Sequence, residues 1–183
     1  MQPHATATEF EWQYRHAATA ARMRQMGECV FCRIVAGAEP CHVVYEDERH
    51  LGFLDIFPNT EGFSVVITKQ CLPSDIARAD DHVAAGLFEA ARRVAVKIAA
   101  AYDDVDRCAI AFEGMMIDHL HAKVIPLHRT AGLQPSPESG TTARGDRYFE
   151  AYPGYVTTEI AASRANDEHL AAVAAKVNSQ DRR

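Results

Sequence analysis

The sequence lacks three features that would assign a class at once: excess positive charge, a long apolar run and a cysteine framework. The chain has 19 basic and 25 acidic residues, and its net charge of −6 argues against a general nucleic-acid-binding surface. A small anionic ligand stays possible, because it responds to local charge. No apolar run approaches the length of a membrane span. Residues 1–8 lack a signal-peptide pattern, which favours a cytoplasmic protein.

The chain has five cysteines, an odd number that does not suit a disulfide framework in a cytoplasmic protein. Metal binding or plain burial is the expectation for each. Cys29 and Cys32 form a C-x-x-C motif, which occurs in redox pairs and as half of a zinc site. A second C-x-x-C is absent, so a zinc site needs two ligands from elsewhere. Cys41 and Cys108 are expected to be small core residues.

Hydrophobic periodicity predicts five strands and a long helix. The strands cover residues 43–45, 51–56, 63–68, 108–112 and 120–127. Short connections between the first three favour an antiparallel meander. Leu87, Ala91 and Val94 belong to an apolar series at spacings of three and four, which predicts an amphipathic helix ending near residue 102. Asp80 or Asp81 can cap this helix.

This order of elements predicts an α+β domain, an antiparallel five-stranded sheet with a long helix packed on it. Residues 9–26 and 167–177 also have helical periodicity, and Asn166 is a capping residue for the second of these helices. The expected organisation is an N-terminal helical extension over 1–26, a core domain over 27–128 and a C-terminal loop and helix over 129–183.

The most informative segment is His119-Leu120-His121-Ala122-Lys123, which continues into Val124-Ile125-Pro126. Because side chains alternate along a strand, His119, His121 and Lys123 are expected on one face. Two imidazoles and an ammonium in a row are costly to bring together unless a metal, an anion or a reaction requires them. The alternative is a metal-bound His119 beside two incidental polar residues.

The middle residue of this row, His121, is the candidate nucleophile. An imidazole can attack phosphorus and form a phosphoramidate intermediate, which splits one difficult displacement into two easier ones. His119 would then orient His121 or bind a metal. Lys123 would supply positive charge to the phosphate oxygens or to the leaving group.

Two further residues complete a candidate zinc site with Cys29 and Cys32. Zinc prefers four tetrahedral thiolate and imidazole ligands. Cys71 follows the third predicted strand and His119 opens the fifth, and in a meander these points can lie at the same end of the sheet. The alternative is a reduced, empty C-x-x-C. Two histidines at predicted strand edges are competing ligands: His42 and His50.

In their order along the chain, these motifs resemble the histidine triad (HIT) superfamily of nucleotide hydrolases and transferases. The resemblance covers roughly residues 29–128, and the joint match is far more specific than any single piece. It rests on Cys29-Val30-Phe31-Cys32-Arg33-Ile34-Val35, Tyr45-Glu46-Asp47, Phe53-Leu54-Asp55-Ile56, Phe63-Ser64-Val65-Val66-Ile67-Thr68-Lys69 and His119-Leu120-His121-Ala122-Lys123-Val124-Ile125-Pro126.

The resemblance implies an enzyme that cleaves a nucleotide phosphoanhydride or phosphoramidate bond through a nucleotidyl-His121 intermediate. The implied substrate is a purine nucleotide or a dinucleoside polyphosphate, and members are generally homodimers. Asp55 falls where a carboxylate accepts hydrogen bonds from the ribose hydroxyls. The implied base pocket is lined by Phe53, Ile56, Phe31 and Ile34. Zinc-containing members place a histidine where this chain has Cys71, which is a competent replacement.

The sequence departs from the family pattern beside the nucleophile. The third triad histidine is Lys123, although related nucleotidyl transferases also replace that histidine, with glutamine. Met115 and Met116 stand where the family often has a Gln-Ser pair that donates hydrogen bonds to the phosphate. These departures leave a second hypothesis open, a nucleotide-binding module with little or no turnover. A third is a zinc-stabilised scaffold whose terminal extensions contact partners.

Overall fold

The computed structural model describes residues 29–132 and 161–182 of the protein. The predicted N-terminal helix over residues 9–26 lies outside these ranges. The chain divides into two compact units, residues 1–40 and 41–183. Among the described helices, none combines the length and the apolar character that a membrane span requires.

The described part of the first unit contains helix α1, Val30–Val35. Gly37 ends this helix in the left-handed conformation, with φ of 71°. Its N–H donates to the Ile34 carbonyl, and the N–H of Ala38 donates to the Arg33 carbonyl. These two bonds form a Schellman motif, in which a glycine satisfies the last carbonyls of a helix without steric cost.

The second unit is built on a five-stranded antiparallel sheet. Its strands are β1 Val43–Glu46, β2 His50–Leu54, β3 Ser64–Thr68, β4 Cys108–Ala111 and β5 His121–Pro126. The order across the sheet is β1-β2-β3-β5-β4, so the first three strands form the predicted meander and β5 lies between β3 and β4. The predicted α+β fold is confirmed, and each strand ends within two residues of its predicted limits.

Helix α2, Asp81–Ala101, covers one face of this sheet and buries its predicted apolar stripe there. The core between helix and sheet contains Leu87, Ala91, Val94 and Ile98 from α2, and Val44, Leu54, Val66, Ala122 and Val124 from the strands. Of the two residues predicted to cap the helix, Asp80 is at the N-cap position, but its side chain makes no capping hydrogen bond.

Helix α3, Asp167–Asn178, packs into the same core through Leu170, Val173 and Val177. The side chain of Asn166 accepts hydrogen bonds from the N–H groups of Glu168 and His169, which confirms the predicted cap. The C-terminal helix thus contributes to the hydrophobic core of the second unit.

Candidate functional site

His121 and Lys123 lie on the face of the sheet opposite helix α2. The register pairs His121 with Ile67 and Lys123 with Val65, and directly paired residues project to the same face. Ala122, between them, belongs to the core under α2. Both polar side chains are buried, with exposed fractions of 3% for His121 and 7% for Lys123. The predicted alternation is confirmed for these two residues.

His119 lies two residues before β5, which begins at His121, one residue after its predicted start. Between them, the N–H of Leu120 donates to the Leu72 carbonyl, while the Leu120 carbonyl accepts from the N–H of Thr68 at the end of β3. His119 is fully buried, and its Nε2 donates to the Thr68 carbonyl at 2.7 Å. Since a carbonyl only accepts, the neutral ring carries its proton on Nε2 and its lone pair on Nδ1.

The His121 ring is held in the opposite tautomer. Its Nδ1 donates to the backbone carbonyl of His119 at 2.6 Å, so Nε2 carries the lone pair. Burial lowers the pKa of His121, the bond to the His119 carbonyl opposes this, and the charge of Lys123 lowers it further, while that of Glu113 raises it. The net lowering favours the neutral, nucleophilic imidazole.

Lys123 forms an ion pair with Glu113, a residue that the sequence reasoning did not include in the site. The side chains are 8% and 25% exposed, so the pair is largely withdrawn from water. Glu113 stands two residues past β4 and just before Gly114, whose φ is 64°. The sequence signal that could have identified Glu113 is a carboxylate shortly after the neighbouring strand, in a chain that has lysine at the third triad position.

Asp55 directly follows β2, and its Oδ1 accepts a hydrogen bond from the N–H of Phe57 at 2.7 Å. This local turn ends β2 two residues before the predicted limit. Burial raises the pKa of Asp55, and the bond from Phe57 and the charge of Lys123 oppose that rise. The charge of Lys123 thus acts on both Asp55 and His121, which places these three predicted residues in one electrostatic neighbourhood.

The predicted base-pocket residues have different surroundings. Phe53 is buried and projects to the face of Lys123, because both residues pair with Val65. Ile56 is half-buried and packs against the core under α2. In the first unit, Phe31 is buried on α1 and Ile34 is half-buried.

The predicted zinc ligands form two pairs, one in each unit. Cys29 is the N-cap of α1, and its sulfur lies within 4.8 Å of the Cys32 sulfur. In the second unit, the Cys71 sulfur lies within 4.8 Å of a ring nitrogen of His119. Both pairs therefore have a spacing at which one metal ion can accept two ligands, and thiolate and imidazole are the ligands that zinc prefers.

The other cysteines and histidines have different contacts. His50 bonds to Asp47 through Nδ1, and His42 bonds to Asp167 through Nε2. Cys108 is partly buried against the core, and burial raises its pKa to about 11. Burial and the nearby charge of Glu46 also raise the pKa of Cys41. A raised pKa suits an inert thiol.

Comparisons with known proteins bear on the family and the fold of the chain. Residues 36–130, just over half of the chain, match the model of the HIT domain. An uncharacterized HIT-like protein of Methanocaldococcus jannaschii is 30% identical over 106 residues, which cover 57% of this chain and 82% of that protein. The adenosine 5'-monophosphoramidase hnt1 of Schizosaccharomyces pombe is 30% identical over 98 residues, covering 54% of this chain and 73% of the relative.

A solved structure extends the similarity to the fold. The crystal structure of a Zn-bound histidine triad family protein from Mycobacterium smegmatis superposes with a TM-score of 0.54 and 26% sequence identity. The match covers 86% of this chain and 98% of that one. Family model, relatives and fold agree, and the chain belongs to the HIT domain family.

Proposed function

We propose that the protein is a nucleotide hydrolase or nucleotidyl transferase that cleaves a phosphoanhydride or phosphoramidate bond through a nucleotidyl-His121 intermediate. One observation carries this proposal: the Nδ1–H of His121 is fixed by the His119 carbonyl, so the nucleophilic lone pair is on Nε2. The phosphoramidase named among the relatives supports the same class of reaction.

The reaction follows from this tautomer in two balanced steps. The Nε2 lone pair of His121 forms a bond to the α-phosphorus, and the bond to the leaving group breaks with its electron pair going to the leaving atom. Water or another acceptor then attacks the same phosphorus and loses a proton to solvent. The N–P bond breaks, and its electron pair returns to Nε2. The Nδ1–H bond to His119 lets the ring carry the transient positive charge without changing tautomer.

Asp55 is proposed to hold the ribose. Its Oδ1 is already oriented by the N–H of Phe57, and a carboxylate has further acceptor positions for two vicinal hydroxyls. The base pocket is proposed to be lined by the four predicted apolar side chains, Phe53, Ile56, Phe31 and Ile34. Apolar side chains provide stacking area without reading the base edge, so the substrate is proposed as a purine nucleotide or dinucleoside polyphosphate only by family resemblance.

Zinc is proposed as a structural ion bound by Cys29, Cys32, Cys71 and His119. Support comes from the spacing within each pair, from the donor types, and from the Zn-bound relative. The Nε2–H bond of His119 to the Thr68 carbonyl is also the arrangement of a metal-binding histidine, whose other nitrogen donates to a backbone carbonyl. Nδ1 of His119 would then be the ligand atom.

A homodimer is also proposed. Phe88 and Val96 lie eight residues apart on helix α2 and are 49% and 57% exposed. Large apolar side chains exposed on one helix suit a contact with a second copy.

The decisive experiment is phosphorus NMR of wild type and His121→Ala with adenosine phosphoramidate, diadenosine tetraphosphate and a nucleotide sugar. Wild type is expected to release the nucleoside monophosphate from at least one of the three substrates, and His121→Ala is expected to lose several orders of magnitude in that rate. His82→Ala, which changes an exposed histidine, is the matched control and keeps the wild-type rate. Equal turnover by wild type and His121→Ala would contradict the proposal.

The same experiment tests a second candidate, a nucleotide-binding module with little turnover. Met115 and Met116 favour it, because they are 66% and 81% exposed and their thioethers donate no hydrogen bonds to a phosphate. Shifted ligand signals without turnover, weakened by Asp55→Ala, would support this module.

A further inference from the structure

The ion pair of Glu113 and Lys123 bears on which bond the site can break. We propose, on the basis of the function proposed above, that this enzyme favours nucleotides whose leaving group departs as a stable anion without taking a proton. Sulfates, carboxylates, acidic phenols and phosphates belong to this class. Amines and simple alcohols do not.

The first argument for this proposal is the position of the ion pair between Glu113 and Lys123. Lys123 lies on the same face of the sheet as His121, two residues along β5, so its side chain projects from the face that carries the proposed nucleophile. Glu113 follows the neighbouring strand β4, whose Ala111 pairs directly with Lys123. The charges of Glu113 and Lys123 both act on His121. The pair therefore belongs to the reaction site rather than to a distant surface.

The second argument is the acidity of the lysine side chain compared with that of histidine. An imidazolium is a stronger acid than a lysine ammonium by about 4 pKa units in model peptides, so a lysine at the third triad position is a poor proton donor near neutral pH. The ion pair with Glu113 holds the Lys123 ammonium in place, where it is suited to stabilise anionic oxygens.

The neighbouring side chains do not replace the missing acid. Met115 and Met116 follow Glu113 closely and have no proton to donate. The Nε2–H of His119 donates to the Thr68 carbonyl, and the Nδ1–H of His121 donates to the His119 carbonyl. Among the described residues of this segment, the proton-bearing ring nitrogens are thus directed at backbone carbonyls.

The balanced step shows the consequence. As the Nε2 lone pair of His121 forms the N–P bond, the P–O bond breaks, and the oxygen leaves with the electron pair. The Lys123 ammonium neutralises charge on the phosphoryl oxygens. A leaving oxygen whose conjugate acid is strong is stable as this anion. A weakly acidic leaving group needs a proton in the transition state, and a lysine ammonium is a poor donor of that proton.

The test compares two AMP esters that differ only in the leaving group, a 4-nitrophenyl ester and a phenyl ester, the latter with a leaving-group pKa of about 10. The measured quantity is kcat/KM, which reports the steps through release of the phenol. Wild type is expected to prefer the nitrophenyl ester by at least about a hundredfold, the scale of an absent general acid. Lys123→His is expected to narrow this preference, because it introduces an acid.

Two variants sharpen the comparison. Lys123→Gln removes the charge without adding an acid, so it is expected to slow both esters and keep the preference. Lys69→His makes the same substitution at a lysine paired with Glu46, and is expected to leave rates and preference unchanged. Wild-type rates within about tenfold for the two esters would overturn the inference and leave the nucleotidyl-His121 reaction standing. Absence of His121-dependent turnover of either ester would overturn both.

Discussion

His119 donates a hydrogen bond from Nε2 to the carbonyl oxygen of Thr68 at 2.7 Å, while a ring nitrogen of the same residue lies within 4.8 Å of the Cys71 sulfur. The backbone at the end of β3 thus sets the tautomer of a buried histidine next to a buried thiol. This relationship leaves Nδ1 as the ring nitrogen with which His119 would bind the proposed zinc, and it leads to the first prediction.

Cys71→Ala is expected to abolish zinc binding and to lower thermal stability strongly, because loss of a ligand removes metal-coupled folding energy. Metal analysis of the purified protein should give about one zinc per chain for wild type and far less for the variant. Cys41→Ala is the matched control, a cysteine outside the proposed ligand set. Full zinc content in Cys71→Ala would exclude this residue as a ligand.

Asp47 is expected to make the free energy of unfolding decrease as the pH becomes acidic. Burial raises the pKa of its carboxyl, but hydrogen bonds from Tyr45, Arg49 and His50 outweigh burial and hold the pKa well below its usual value. A depressed folded-state pKa gives stability that is present above the unfolded pKa of about 3.9 and is lost as pH falls through the folded value. Asp47→Asn should therefore cost about 1 kcal/mol at pH 7.

The cost of Asp47→Asn should shrink as the pH falls below about 4, because the unfolded wild-type chain then binds a proton at Asp47 that it must release on folding. Urea unfolding of both proteins at pH 7 and pH 3 measures this difference. Asp103→Asn, at an exposed aspartate, should cost little at either pH. A constant difference between Asp47→Asn and wild type at both pH values would contradict the assignment.

Gly114 is expected to be intolerant of any side chain. Its φ is 64°, and a Cβ there would lie 2.7 Å from the carbonyl oxygen of Ser74. Gly114→Ala should therefore cost more than the roughly 1–2 kcal/mol of a left-handed alanine. It should also lower turnover, because it displaces the adjacent Glu113. Gly37→Ala shares the positive φ but meets nothing within 4 Å, so it measures the backbone cost alone. Chemical unfolding of both variants should rank Gly114→Ala as clearly less stable.

The two long helices of the second unit differ at their N-caps, which provides a matched pair. Asn166→Ala should destabilise the protein by about 1 kcal/mol, since it removes an acceptor for two helix N–H groups. Asp80→Ala should cost less, because the Asp80 side chain makes no capping bond. Thermal melts of the two variants compare them directly, and equal losses would show that the Asn166 bonds contribute nothing.

The proposed dimer predicts a change in mass on altering helix α2. Phe88→Glu places a charge on the exposed apolar side of that helix and should shift the protein to monomer in light scattering. Arg78→Glu, an exposed change on the 3-10 turn Ile76–Arg78, should leave the mass as in wild type. A wild-type monomer at high concentration would end the dimer proposal.

Much of the second unit could be predicted from the sequence because local rules fix it. The period-two and period-3.6 patterns identified the strands and the stripe of α2, and Asn166 identified the start of α3. Predictions were less accurate where a single side chain or hydrogen bond ends an element. Asp55 ends β2 early through its bond to Phe57, and β5 begins one residue late because the N–H of Leu120 donates to the Leu72 carbonyl.

From the sequence alone follow the family of motifs, the alternation that separates His121 from Ala122, and the four thiol and imidazole side chains proposed as zinc ligands. These depend on residue type and spacing along the chain. The three-dimensional contacts are needed to know which ring nitrogen of His119 and of His121 carries its proton, because this depends on backbone carbonyls that the sequence does not identify. The tertiary structure also decided that Lys123 meets Glu113, since that pairing needs β4 and β5 side by side, and strand order depends on contacts between residues distant in sequence.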